Sequence, residues 1–317
     1  MDVSVVIPVY NEEDSLPPLH RALAAALTGV DYELVFVDDG SSDGSAAVLE
    51  RLVEEDPEHT RLVELRRNFG QTAAIAAGLD HSHGEVVVLI DADLQEDPAD
   101  IPALLQKMDQ GYDVVSGWRR QRRDAFLTRV LPSRLANTLI SWVTGVPLHD
   151  FGCTLKAYRR EVLEGFRLYG EMHRFIPAYA SSVGAKIAEV PVSHRPRMHG
   201  RAKYGLERTL KVLLDLFTVK FLVDFASKPI YLFGGAGLLL ILPSLLTLLF
   251  LMIRRLLFQV SVLGSPLFQT STMLFILGFQ SILMGLIAEL LVRTYHESQA
   301  KPTYIVRRVI PTPRDTA

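Results

Sequence analysis

The sequence predicts an α/β domain on a doubly wound parallel sheet, followed by amphipathic juxtamembrane helices and two transmembrane helices. Three observations carry this reading. Short apolar runs alternate with segments of helical spacing, and the runs end in acids or glycines, as in repeated strand–helix units of a parallel sheet. The run 86–95, VVVLIDADLQ, lacks polar alternation until it ends in two aspartates, which suits a strand buried on both faces. Two later stretches, Pro229–Ile253 without a charge and Pro266–Val292 with only Glu289, are each long enough to cross a hydrocarbon core, which takes about 20 residues.

The elements follow in order. Val3–Pro8 (VSVVIP) reads as a strand, Tyr10 to Glu13 as a loop, and Leu16, Leu19, Leu23 and Leu27 as a helix face. Leu34–Val37 is a second strand ending at Asp38 and Asp39, and Ser42 or Asp43 can cap a helix through Ala46, Leu49 and Val53. Leu62–Leu65 is a third strand, leading through RNFGQ to an alanine-rich helix over 72–79. After the strand at 86–90 come a helix over Pro98–Gln110 and a strand over Asp113–Ser116.

At 317 residues the chain exceeds one catalytic domain of about 200 residues, and 49% hydrophobic content makes the remainder apolar. A net charge of -3 argues against nucleic acid as a partner. The single cysteine, Cys153, has no partner for an internal disulfide and suits a reducing compartment. The N-terminus MDVSVVIPVYNEE lacks a signal-peptide pattern, so the first domain is expected in the cytoplasm.

Phosphate chemistry is constrained by what is missing. No G-x-G-x-x-G follows the first strand, there is no Walker lysine, and Gly234-Gly235-Ala236-Gly237 lies in an apolar stretch. Phosphate charge must then be met by a metal or by arginines. Asp91 and Asp93, one residue apart at a strand end, suit a hard divalent cation, although a polar strand end accounts for the same pair. Arg119, Arg120, Arg122, Arg123, Arg129 and Arg134 form one basic run, and Arg195, Arg197, His199, Arg201 and Lys203 a second. Each reads either as a solvated face or as an anion site.

Leu206–Phe225 has apolar residues at helical spacing with Arg208, Lys211 and Lys220 between them, the pattern of a helix lying at a membrane surface. Lys211, Lys220, Lys228, Arg293, Lys301, Arg307 and Arg308 flank the outer ends of the spans, against Arg254 and Arg255 in the connecting loop. The bias predicts both termini on the cytoplasmic side.

Six motifs, VSVVIPVYNEE, VDDGSSDGS, RNFGQTAA, DADLQEDP, GYDVVSG and RMHGRAKYG, stand in the order found in inverting family-2 glycosyltransferases of the GT-A fold. The chain most resembles the polyprenyl-phosphate branch, which includes dolichol-phosphate mannose synthases, undecaprenyl-phosphate glucosyltransferases and aminoarabinose-transferring enzymes. The resemblance covers nearly all of residues 3–225 and, in the bacterial members, the two-span tail. It implies that Pro8, Tyr10, Glu12, Val37 and Asp39 hold the nucleotide base and ribose. Asp91, Ala92 and Asp93 would lie at the donor diphosphate, with Asp91, Asp93 and Gln95 binding Mg²⁺ or Mn²⁺. Arg119 and Arg134 would receive the lipid phosphate, Arg197 and Lys203 would close over the phosphates, and Asp150 would sit by the sugar. Asp93, Asp150, Arg119 and Arg134 would thus be the catalytic set.

The implied reaction moves a sugar from a nucleotide-sugar donor to undecaprenyl or another polyprenyl phosphate, inverting the anomeric carbon, for cell-envelope glycan modification. HDFGCTLKAYRR and HRFIP resemble the bacterial uridine-nucleotide members more than the mannose synthases, which implies a UDP-sugar over GDP-mannose. The expected organisation is a cytoplasmic catalytic domain over 1–205, interfacial helices over 206–228, a two-helix membrane domain over 229–292 and a cytoplasmic tail over 293–317. The protein is expected in the bacterial inner membrane, in contact with the lipid bilayer, as a homo-oligomer, with a tetramer one possibility. Two rivals are a polysaccharide synthase, whose Q-x-x-R-W motif is absent, and a non-catalytic membrane scaffold, against which the intact acids and basic loops speak.

Overall fold

The computed structural model describes residues 2–120, 137–138, 140–142, 144–164, 168, 172–194, 230–259, 261–262, 264–298 and 304–312. Among these, β1 (Val3–Val9), β2 (Tyr32–Asp38), β3 (Thr60–Leu65) and β4 (Val86–Leu89) alternate with α1 (Leu16–Ala26), α2 (Ser45–Glu55) and α3 (Gln71–Asp80). β1 pairs in parallel with β2 and β4, and β2 with β3. All seven residues of β1 and of β2 are buried, which accounts for the apolar runs Val5–Val9 and Leu34–Val37 within them. α1 buries Leu16, Leu19 and Leu23, the stripe its spacing predicts. The small residues of α3 have a packing reason, because a Cβ on Gly78 would fall 2.2 Å from Val6 Cγ1.

The α/β fold is the expected one, but the sheet is mixed rather than wholly parallel. Its order is β7 (Ile187–Pro191), β5 (Val114–Trp118), β6 (Lys156–Arg159), β4, β1, β2, β3 and β8 (Val306–Ile310). After α4 (Ile101–Met108) and β5 (Val114–Trp118), the strand β6 (Lys156–Arg159) inserts antiparallel between β4 and β5, and β7 (Ile187–Pro191) pairs in parallel with β5. β6 has four residues and charged ends, so no apolar run announces it.

The last strand, β8 (Val306–Ile310), lies antiparallel to β3 at the sheet edge. Its sequence, VRRVI, carries charge where an edge strand faces water. Arg307 pairs with Glu64 at 2.9 Å, and Arg308 contacts both Glu64 and Glu50. Just before the strand, Tyr304 donates its hydroxyl to Asp80 Oδ2 at 2.6 Å, and Arg66 donates its N–H to the Ile305 carbonyl. Residues 1–219 and 302–317 therefore form one compact unit, and residues 220–301 a second.

The second unit is a pair of helices, Ile230–Phe258 and Pro266–Ser298, both long and apolar enough to cross a membrane. Their contact is set by small residues. A Cβ on Gly237 would lie 2.6 Å from the Gly278 carbonyl oxygen, and one on Gly278 2.7 Å from that of Gly237. Nearby, Ser244 Oγ donates to the Ser271 carbonyl at 2.6 Å and Ser281 Oγ to that of Phe233 at 2.8 Å. Small residues let backbones approach and hydroxyls bond across helices. Gly278→Leu should therefore lower the thermal stability of the purified protein in detergent, at an overpacking cost of roughly 1–3 kcal/mol. Gly235→Leu, which points into open space, should leave it unchanged.

Candidate active site

Parallel strands β1, β2, β4 and β5 deliver their C-terminal ends to one edge of the sheet, and antiparallel β6 delivers its N-terminal end to the same edge. Open α/β sheets bind ligands along such an edge. Here it gathers the segments 9–15, 38–44, 90–97, 118–120 and 149–155.

The first two segments are laced together. Asn11, at φ 56°, donates its N–H to Ser41 Oγ and accepts from the Ser42 N–H at 2.7 Å. Asparagine tolerates this left-handed backbone better than most residues. Glu12 N–H donates to Ser45 Oγ, and Glu13 Oε2 accepts the Gly44 N–H. Gly40, at φ 66°, leaves no room for a Cβ, which would sit 2.5 Å from the Arg67 carbonyl carbon. Pro8 and Val37 lie opposite one another in β1 and β2. Both are buried, whereas Tyr10 is at the surface and Glu12 half-buried. Asp39 accepts the N–H groups of Phe69 (2.7 Å) and Gly70 (2.9 Å), and its own N–H donates to the Val9 carbonyl. Burial pushes the Asp39 carboxyl up, and the two amides partly offset this.

The acidic centre follows β4. Asp91 Oδ1 accepts from Gln71 Nε2 at 2.7 Å and Oδ2 from Thr154 Oγ1 at 2.8 Å. Burial, with Glu96 and Asp93 adding repulsion, pushes the Asp91 carboxyl up to about 8. Ala92 is buried between the two acids in sequence. Asp93 Oδ1 accepts the Gln95 N–H at 3.2 Å. Leu94 stands at φ 57°, a left-handed conformation that costs a bulky residue on the order of 1–3 kcal/mol and clusters at functional sites. Glu96 is buried; one oxygen accepts the Thr154 N–H at 3.0 Å, and the other has no hydrogen bond among the described residues.

A cationic group stands beside it. Arg119 grips Asp150 with two hydrogen bonds, Nε to Oδ2 at 2.7 Å and Nη2 to Oδ1 at 3.0 Å. Burial alone would lower the guanidinium pKa, but the bonds and charge of Asp150 outweigh it and raise it. The Asp150 loop is itself held. Glu189 accepts the N–H groups of His149 and Asp150, Trp118 stacks on the His149 ring at 4.5 Å, and buried Lys156 donates to the Phe151 and Cys153 carbonyls. Cys153 is buried and its thiol pushed up by burial, consistent with a packing role.

Arg134, Arg197 and Lys203 lie outside the described residues, as do most of the two basic runs. Gln71, Thr154, Glu96 and Glu189 escape the sequence reading because only folding brings them to the acids. Among the described residues no three His, Cys, Asp or Glu side chains cluster as a metal-ligand group. The candidate set is instead two carboxylates and the Gln95 amide oxygen. These are hard oxygen donors, and the mutual repulsion around Asp91 is what a divalent cation would offset, so the residues fit Mg²⁺ or Mn²⁺.

The chain is 40% identical over 314 residues to a dodecaprenyl-phosphate galacturonate synthase of Rhizobium johnstonii, covering 98% of this chain and 93% of the relative. It is 42% identical over 311 residues to an undecaprenyl-phosphate 4-deoxy-4-formamido-L-arabinose transferase of Pseudomonas aeruginosa, covering 97% and 90%. Among solved structures, glucosyl-3-phosphoglycerate synthase from Mycobacterium tuberculosis, in complex with Mn²⁺, UDP and glucosyl-3-phosphoglycerate, shares the fold. Its TM-score is 0.54 at 20% identity, over 69% of this chain and 79% of that one. Residues 4–166 match the family described as glycosyl transferase family 2. With that match and relatives at 40% identity over nearly its whole length, the chain belongs to glycosyl transferase family 2 and has its GT-A fold.

Proposed function

We propose that this protein transfers a sugar from a nucleotide-sugar donor, a UDP-sugar, to the phosphate of a polyprenyl phosphate at the cytoplasmic face of the bacterial inner membrane, inverting the anomeric carbon. The observation that carries this reading is the meeting, at one sheet edge, of the Asp91–Asp93 acids with the Arg119–Asp150 pair. One group suits a metal-bound donor diphosphate and the other an anionic acceptor. The names of the relatives, both polyprenyl-phosphate sugar transferases, support the acceptor class.

Asp91, Asp93 and Gln95 would hold Mg²⁺ or Mn²⁺, which when bound offsets charge on the departing diphosphate. Pro8, Tyr10, Glu12, Val37 and Asp39 take the base and ribose, with the laced 9–15 and 38–44 segments as the floor. A lipid phosphate oxygen, oriented by Arg119 and Arg134, attacks the anomeric carbon; the bond to the donor phosphate breaks on the opposite face, and the nucleoside diphosphate leaves. Arg197 and Lys203 balance its charge. The attacking oxygen is already anionic, so no strong general base is needed. Asp150 fits that chemistry, since a carboxylate gripped by arginine is suited to orienting the sugar rather than to taking a proton.

The apolar helices support a membrane location, and two crossings return the chain to its starting side, where β8 rejoins the sheet. The deciding assay uses full-length protein with undecaprenyl phosphate, Mg²⁺ or Mn²⁺, and labelled UDP- and GDP-sugars. Metal-dependent formation of a labelled lipid from one UDP-sugar is expected. Product from GDP-mannose alone would replace the donor, and failure of every donor, with neither transfer nor metal-dependent sugar-nucleotide hydrolysis, would leave the scaffold.

A further inference from the structure

We infer that Thr154, with Gln71 opposite it, is a positioning residue that sets the Asp91 carboxylate for the donor metal; this rests on the metal-site reading above. Three features single it out. Asp91 is bonded at both oxygens by neutral side chains from different elements, Gln71 at the start of α3 and Thr154 just before β6. Two donors on opposite oxygens fix the plane of the carboxylate while leaving each oxygen a further lone pair. Thr154 is itself braced, because its main-chain N–H donates to buried Glu96 at 3.0 Å. Glu96 lies in the same 90–97 segment as the acids, so the brace ties the Thr154 loop to the turn bearing Asp93. Finally, the loop is pinned from below by Lys156, which donates to the carbonyls of Phe151 and Cys153, the residue before Thr154.

The division of labour is specific. Charge toward the cation comes from Asp91 and Asp93, and orientation of Asp91 comes from an amide and a hydroxyl that carry no charge. Partners that orient a metal-binding carboxylate typically control metal affinity by about 10–100-fold.

Mn²⁺ binding to full-length detergent-solubilised protein at saturating UDP, followed by the EPR signal of free Mn²⁺, tests this without turnover. Thr154→Val, which keeps the side-chain shape and removes the hydroxyl, should weaken Mn²⁺ binding by about 10–100-fold. Thr154→Ser, which keeps the hydroxyl, should stay within about threefold of the parent, and Gln71→Leu should weaken binding in the same direction as Thr154→Val. Thermal melts in EDTA identify any variant that fails to fold, and if Thr154→Val does, Gln71→Leu alone decides. Parent-like or tighter Mn²⁺ binding in folded Thr154→Val overturns the assignment while leaving the metal site standing. A parent protein that binds no Mn²⁺ with UDP overturns both.

Discussion

Asp91→Asn should lower sugar transfer at least about a thousandfold, yet raise the melting temperature of the metal-free protein at pH 8. The first effect follows from removing a carboxylate that would hold the donor metal, whose charge stabilisation is worth several kcal/mol, each 1.36 kcal/mol being a tenfold change in rate. The second follows from burial. The Asp91 carboxyl titrates at about 8 in the folded protein and at an ordinary 3.8 when unfolded, because burial, Glu96 and Asp93 all disfavour its charge. Between these values the folded state keeps a proton that the unfolded chain has released. The stability contributed by this group is thus complete below pH 4 and is lost as pH rises through 8. Asparagine does not ionise and escapes that loss. Asp38 and Asp39 are shifted upward too, and His20 and His173 downward, all chiefly by burial, so a pH scan of the parent alone mixes several groups. The difference between parent and variant isolates Asp91. Melts in EDTA at pH 5 and pH 8 should show the variant gaining on the parent at the higher pH. An equal difference at both would mean that Asp91 is not held with a raised pKa, and unchanged transfer would remove it from the metal site.

The same residue shows what the sequence can and cannot reveal. Val86–Ile90 followed by Asp91 and Asp93 is legible as a buried strand delivering acids to a sheet edge, because burial on both faces forces an unbroken apolar run. The strands β1 to β3 are legible from the shorter apolar runs within them, and α1 from its leucines at helical spacing. β6 and β8 are not. Four residues with charged ends, or a VRRVI edge strand whose partner β3 lies more than 240 residues away in sequence, carry no local periodicity. The groups around Asp91 are hidden likewise, since Gln71 arrives from 20 residues before it and Thr154 from 63 after. A lone glutamine opening a helix and a lone threonine before a strand look like ordinary capping and turn residues. Arg119 was legible as a cation beside a strand end, and Asp150 as an acid, through resemblance to a family. That they hold one another is visible only in the folded chain.

Their pairing sets the expected result for Arg119→Ala. The Arg119 side chain is 10% exposed and that of Asp150 4%, so truncating the arginine takes the two-pronged counter-ion from a buried carboxylate. Removing one partner of a buried pair typically costs about 3–5 kcal/mol, far more than the net worth of the pair, because the desolvated charge left behind has lost its counter-ion. Arg119→Ala should therefore lower both the melting temperature and transfer, and the two losses must be separated. Adding Asp150→Ala removes that buried charge and should recover most of the stability. On the proposed roles of Arg119 at the lipid phosphate and Asp150 at the sugar, it should not recover transfer. Arg119→Lys sharpens the distinction. An ammonium keeps the charge opposite Asp150 but loses the two-pronged grip, so it should fold while raising the KM for polyprenyl phosphate and leaving that for the donor unchanged. Transfer restored along with stability in the double variant would reduce Arg119 to a structural counter-ion. A change in donor KM alone would move it to the nucleotide side of the site.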